Sequence, residues 1–146
     1  CSAGFTDADG GECTPCDAGT FKSVTGSGIC TWCPSHTSSA AGSVEVTDCV
    51  CVAGHTAESD GVPCRACDAG TYKAGTGAGE CSVCPVGSSS ASGIEALTDC
   101  KCLAGYGGEP DGVACSICME GMFKSEVGPG ECQFCPANSE SCSGSA

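Results

Sequence analysis

Cys64-Arg-Ala-Cys67-Asp-Ala-Gly-Thr-Tyr-Lys73, then Cys81-Ser-Val-Cys84-Pro85 and Thr98-Asp99-Cys100, is the stretch on which the fold turns. Its cysteines recur upstream and downstream at a constant step of 51 residues. Cys13, Cys64 and Cys115 align, as do Cys16, Cys67 and Cys118. Cys30, Cys81 and Cys132 keep the step, and so do Cys33, Cys84 and Cys135. Cys49 and Cys100 continue it, and the third unit closes early at Cys142. A fixed period of this length marks tandem repeats. The units are 1–50, 51–101 and a shortened 102–146.

Each unit reads C-x-A-G followed by an aromatic or His, as in Cys51-Val-Ala-Gly-His55. A stretch containing Asp-Gly follows, then C-x-x-C, a Gly-x-aromatic-Lys segment, and a Gly-rich run. A second C-x-x-C with Pro, a Ser-rich segment and Thr-Asp-Cys complete it. Asp9-Gly10, Asp60-Gly61 and Asp111-Gly112 lie between cysteines about a dozen residues apart, and Asp-Gly favours a tight hairpin turn. Each is therefore read as a short hairpin pinned by its own bridge. Helical periodicity is absent, and Gly, Ser and Pro punctuate every segment. Residues 35–43 and 86–93 read as exposed loops. The fold expected is small and disulfide-rich: tandem cysteine-rich repeats with short β-hairpins and little helix, in an elongated array.

Composition points the same way. Eighteen of 146 residues are Cys, above the roughly 8–10% that marks a disulfide scaffold. Disulfides persist in oxidising compartments, so the chain reads as extracellular or cell-surface. Aromatics make up 5% of the chain, and Ala, Val and Cys supply most of its 40% apolar content. Such a set builds no conventional core, and covalent staples take its place. The formal net charge of −13 disfavours nucleic acid and anionic membranes. No window approaches the roughly 20 apolar residues of a membrane span. The chain starts at Cys1 within a cysteine pattern, as a processed product or fragment does.

Several motifs have a chemical and a structural reading. The C-x-x-C pairs are spaced close to a zinc ribbon, but zinc would leave two cysteines idle in each unit. Cys30-Thr-Trp-Cys33 has no βαβ context for a redox motif. Asp7-Ala-Asp9-Gly10 opens like a calcium loop but is followed only by Glu12, so a turn is favoured. Phe21-Lys22, Tyr72-Lys73 and Phe123-Lys124 recur in register, each ring read as the cover of a nearby disulfide. His36 and His55 lie in non-equivalent loops with no nucleophile–base arrangement around them. No catalytic residue, metal or cofactor is assigned, and the chain is not read as an enzyme. Thr37, Ser38, Ser39, Ser88, Ser89 and Ser90 are candidate O-glycan acceptors.

The order C…C-x-x-C…C-x-x-C…C-x-C resembles the ephrin-receptor-like cysteine-rich repeat and is similar to tumour-necrosis-factor-receptor modules. Six cysteines permit 15 connectivities, and the residues alone do not choose among them. The resemblance implies first to second, third to fifth and fourth to sixth. That gives Cys1–Cys13, Cys16–Cys33 and Cys30–Cys49 in the first unit. It gives Cys51–Cys64, Cys67–Cys84 and Cys81–Cys100 in the second, and Cys102–Cys115, Cys118–Cys135 and Cys132–Cys142 in the third. Framed from Cys16, the order resembles an EGF-like module, which implies the same bonds.

Two functions follow as expectations. The first is an extracellular fibre or coat protomer, self-associating head to tail with its third repeat docked on the first of the next copy. It draws on near-identical frameworks and few recognition anchors, chiefly Trp32 and Arg65. The second, which the resemblance permits, is an ectodomain fragment of a receptor or adhesion protein acting as a binding module.

Overall fold

The computed structural model describes residues 1–7, 10–57, 63–108 and 114–136. Every strand is two residues long. The first repeat holds β1 (Phe5–Thr6), β2 (Thr14–Pro15), β3 (Thr20–Phe21), β4 (Thr31–Trp32) and β5 (Thr37–Ser38). β6 (Val50–Cys51) crosses into the second repeat. There follow β7 (His55–Thr56), β8 (Arg65–Ala66), β9 (Thr71–Tyr72), β10 (Ser82–Val83), β11 (Ser88–Ser89) and β12 (Lys101–Cys102). The third repeat has β13 (Tyr106–Gly107), β14 (Ser116–Ile117), β15 (Met122–Phe123) and β16 (Gln133–Phe134). They form two-stranded sheets, β1 with β2, β3 with β4 and onward to β15 with β16.

Such small ladders do not hold themselves together. The bridges do. Cys1–Cys13, Cys51–Cys64 and Cys102–Cys115 pin the first hairpin of each repeat, the bonds expected from the sequence. In the first repeat, Gly10 N–H closes a turn onto the Asp7 carbonyl at 2.9 Å. The Asp-Gly pairs at 60–61 and 111–112 lie outside the described residues.

The other bonds differ from the implied ones. Cys16 joins Cys30, and Cys33 joins Cys49, rather than Cys16–Cys33 and Cys30–Cys49. Likewise Cys67 joins Cys81 and Cys84 joins Cys100, replacing Cys67–Cys84 and Cys81–Cys100. Cys118 joins Cys132, which excludes Cys118–Cys135 and Cys132–Cys142. Cys142 lies outside the described residues. The ladder is nearest-neighbour along the chain. The crossed loops would be only three residues longer, which changes closure entropy by about 0.2 kcal/mol per bridge and decides nothing. Strand geometry decides. Cys30 and Cys33 bracket β4 three residues apart, so their side chains leave on opposite faces. One thiol returns to Cys16 and the other goes forward to Cys49.

The core is the bridges themselves. Cys16, Cys49, Cys67, Cys100 and Cys118 are the largest fully buried side chains among the described residues. Backbone hydrogen bonds stitch the hairpins around them. Cys16 N–H donates to Gly4 O, and Gly4 N–H to Lys22 O, both at 2.8 Å. Cys118, Gly105 and Lys124 repeat the pattern in the third unit. Gly4 has φ +78°, and a Cβ there would run into the Gly42 carbonyl, so this step of the stitch requires glycine.

The Ser-rich segments 35–43 and 86–93 are not exposed loops. β5 pairs with β6 and β11 with β12, and Thr37, Ser38, Ser88 and Ser89 are half-buried. Serine content hid strands whose stability comes from hydroxyl and backbone bonds. Thr37 Oγ1 donates to Pro34 O at 2.6 Å and Ser88 Oγ to Pro85 O at 2.7 Å. Ser39, which is buried, donates to Thr20 O at 2.9 Å, and Ser90 to Thr71 O at 3.2 Å.

The Thr-Asp-Cys motifs end in 3₁₀ turns at Val46–Asp48 and Leu97–Asp99. Asp48 accepts from the Val44 and Glu45 amides at 2.8 and 3.0 Å. The Glu45 and then the Val44 amide hold its carboxyl below the ordinary value. Two compact units emerge: residues 1–65 with 75–80, and residues 66–74 with 81–146.

Candidate functional site: the outward face of the repeats

With the bridges serving as core, large side chains are released to the surface. Trp32 is 77% exposed, Val83 77% and Phe134 81%. These are the same position of the second C-x-x-C in each repeat, one 51-residue step apart. Trp32 stands opposite Thr20 on β3, Val83 opposite Thr71 on β9, and Phe134 opposite Met122 on β15. Each cysteine pair clamps one such residue on the solvent side of its hairpin. The sequence reading noted Trp32 alone. The signal for Val83 and Phe134 was the shared register, which their dissimilar chemistry concealed.

The recurring lysines lie inward. Lys22 is 3% exposed, and its ammonium donates to the carbonyls of Phe5 at 2.8 Å and Gly26 at 2.6 Å. Lys124 donates to Glu126 and Gly128 carbonyls, both at 2.8 Å. Phe21, Tyr72 and Phe123 are only half-buried. The buried member of each pair is therefore the cation, where the ring was expected to do the covering. The physical reason is that the Gly-rich run leaves several carbonyls facing inward, and an ammonium has three donors to meet them. Lys73 is buried too. Of the five basic side chains only Arg65 and Lys101 are exposed, so acidic groups dominate the surface.

In the second unit Ser89, Ser90, Ala91, Ile94, Leu103 and Val127 line a groove of about 530 Å³, with Asp99 and Lys101 also on its wall. One repeat earlier, the positions of Ile94, Lys101, Leu103 and Val127 carry Ser43, Val50, Val52 and Thr76. The apolar lining thus belongs to positions where the repeats differ.

The structure also unites His36 and His55, expected to stand apart. Their rings stack at a centroid distance of 4.4 Å, 13° from parallel. The signal was again the period: one repeat on, Gly87 stands against the ring of Tyr106. Cys30 and Cys33 of the redox-like motif belong to different bridges. Asp7 Oδ1 accepts from Gly28 N–H at 3.4 Å, tying the calcium-like turn to the Gly-rich run. Asp9 lies outside the described residues, and Glu12 is exposed. No helix among the described residues is long and apolar enough to cross a membrane.

Comparison with known proteins agrees with this architecture. The family described as tyrosine-protein kinase ephrin type A/B receptor-like matches residues 4–49 and 54–102. The chain is similar to the ephrin type-B receptor 1 of Gallus gallus, 48% identical over 63 residues, which is 43% of this chain and 6% of that protein. It is similar to ephrin type-B receptor 4a of Danio rerio, 40% identical over 60 residues, or 41% of this chain and 6% of that protein. Ephrin type-B receptor 3 of Xenopus laevis is 40% identical over 76 residues, 50% of this chain and 8% of the receptor. The chain thus spans less than a tenth of the length of these relatives. With its bridges and these relatives, it is an extracellular or cell-surface sequence. The tandem hairpins, the disulfide ladder and the match over two successive repeats place it together: the chain belongs to the ephrin-receptor-like cysteine-rich family.

Proposed function

We propose that this chain is a non-catalytic segment of a receptor or adhesion ectodomain, and that it acts as a protein-binding module. The observation that carries the reading is the outward apolar residue that every repeat presents at one register position: Trp32, Val83 and Phe134. Exposed aromatic and apolar residues on a rigid frame are the usual anchors of protein interfaces. A covalently fixed strand orders them before binding, so little conformational entropy is lost on association. The groove at Ile94, Leu103 and Val127 adds a second apolar feature that is specific to one junction. The relatives support the receptor class over the fibre expected from composition, and nothing in the comparisons favours a head-to-tail protomer.

The test is binding of the purified chain to cell surfaces, and to an immobilised soluble ephrin as one defined probe. Saturable binding that falls about 30-fold or more in Trp32→Ala, roughly a 2 kcal/mol hot spot, supports the module. Absence of saturable binding, with long rods in negative stain, returns the fibre reading.

A further inference from the structure

We propose that the His36–His55 stack is an acid-sensitive latch between the first and second repeats, and that the corresponding junction between the second and third repeats lacks this response. The two junctions share one frame. Val52 N–H donates to His36 O at 3.0 Å, and one period later Leu103 N–H donates to Gly87 O at 2.9 Å. Gly77 N–H donates to Cys51 O, and Gly128 N–H to Cys102 O. The side chains on the frame differ. At the second junction Gly87, with φ +78°, lets the Tyr106 ring lie flush on the backbone, where any Cβ would collide with it. At the first, His36 takes the same left-handed conformation with φ +63°, alone among the described non-glycine residues. A β-carbon at positive φ is strained and persists where its surroundings hold it. Here the stacked ring of His55 supplies that hold.

Imidazole is the side chain that changes charge between about pH 5 and 8. With one ring or neither protonated, the stack is an aromatic contact. With both protonated it becomes two cations face to face at 4.4 Å, which repel. His55 Nδ1 lies 3.1 Å from Ala53 O, an N–H donor position, so Nε2 takes the added proton from solvent. The charged groups around the pair do not neutralise two imidazolium ions. β5, β6 and the turns at 34–36 and 52–54 carry no carboxylate. β8 carries the cation Arg65. Asp48, before β6, already accepts the Val44 and Glu45 amides, and Glu45 shares that turn. Glu80 is exposed beside Gly79, whose carbonyl accepts from Thr56 of β7. Lys73 adds a buried positive charge to the second repeat. Glu58 and Asp60 lie outside the described residues. The latch therefore holds at neutral pH and loosens as the second proton is taken up, while the flanking bridges Cys33–Cys49 and Cys51–Cys64 keep the repeats joined.

Native-state amide exchange reads this directly, because the two junctions offer equivalent amides. Corrected for intrinsic rates, protection of the Val52 amide is expected to fall at least tenfold between pH 7.5 and pH 5, while that of Leu103 holds. The double variant His36→Gly with His55→Tyr copies the second junction into the first, and its Val52 amide is expected to lose the pH response. Equal responses of Val52 and Leu103 in the unaltered chain overturn the latch, and that result needs no variant to fold. Retention of the response in the double variant also overturns it.

Discussion

The junction of repeats one and two and that of repeats two and three are the same device with different surfaces. Their bridges match in span, 16 residues for both Cys33–Cys49 and Cys84–Cys100, and 13 for both Cys51–Cys64 and Cys102–Cys115. Their backbone hydrogen bonds match pair for pair. Yet His36 and His55 become Gly87 and Tyr106, and Ser43, Val50 and Thr76 become Ile94, Lys101 and Val127. In an ordinary small domain such exchanges would disturb a packed core. Here the core is sulfur, so positions between the cysteines vary freely, and two chemically distinct junctions arise on one frame. That freedom is what a recognition scaffold needs.

The largest effect comes from the shared part. Removing Cys16–Cys30 by paired Ser substitution should cost about 2–5 kcal/mol. Removing Cys67–Cys81, which closes an equal 14-residue span, should cost the same within about 1 kcal/mol. Denaturant unfolding of the two variants checks this, and unequal losses would show that the repeats are not energetically equivalent.

Next come the buried cations. Lys22→Met keeps the stem and removes the donors, leaving the Phe5 and Gly26 carbonyls without that partner. A loss of about 1–3 kcal/mol is expected. Lys124→Met should lose a similar amount through Glu126 and Gly128. Unchanged thermal midpoints would mean that water replaces the ammonium at no cost.

The contrast between junctions sharpens with exchanged residues. Gly87→Ala puts a Cβ at positive φ against Tyr106 and should cost about 1–3 kcal/mol. His36→Gly relieves backbone strain while deleting the stack, and should change stability by less than about 1 kcal/mol at neutral pH. Comparable losses in the two variants would remove the distinction drawn between the junctions.

How much of this was legible in the sequence follows from the same facts. The 51-residue step displayed the repeats, and Asp-Gly between cysteines displayed the first hairpin. The bonds Cys16–Cys30 and Cys33–Cys49 were not legible, because loop lengths barely distinguish them from the crossed pair and the deciding factor is the face on which each thiol leaves β4. Thr37, Ser38 and Ser39 were read as an exposed loop because hydroxyl-rich strands lack apolar alternation. Lys22 looked like a surface cation, since nothing in a sequence announces carbonyls that face inward. His36 and His55 belong to different repeats, and only the fold brings them into contact.

The smallest effect concerns Asp48. The Glu45 and Val44 amides depress its folded carboxyl, so the folded state binds fewer protons than the unfolded one. Its contribution is present above the ordinary carboxylate value of about 3.9 and is lost as pH falls below it. Protection of the Cys49 amide, which donates to Val46 O, should decline below about pH 4. In Asp48→Asn that acid-dependent decline should be absent.

Disulfide mapping under non-reducing conditions tests the frame itself. Proteolysis of the intact chain between the cysteines of each C-x-x-C pair, followed by mass spectrometry, should recover peptides joining Cys16 to Cys30 and Cys33 to Cys49, with the same pattern at Cys67–Cys81 and Cys84–Cys100. Peptides joining Cys16 to Cys33, or Cys30 to Cys49, would contradict the nearest-neighbour ladder and with it the outward placement of Trp32 and Val83.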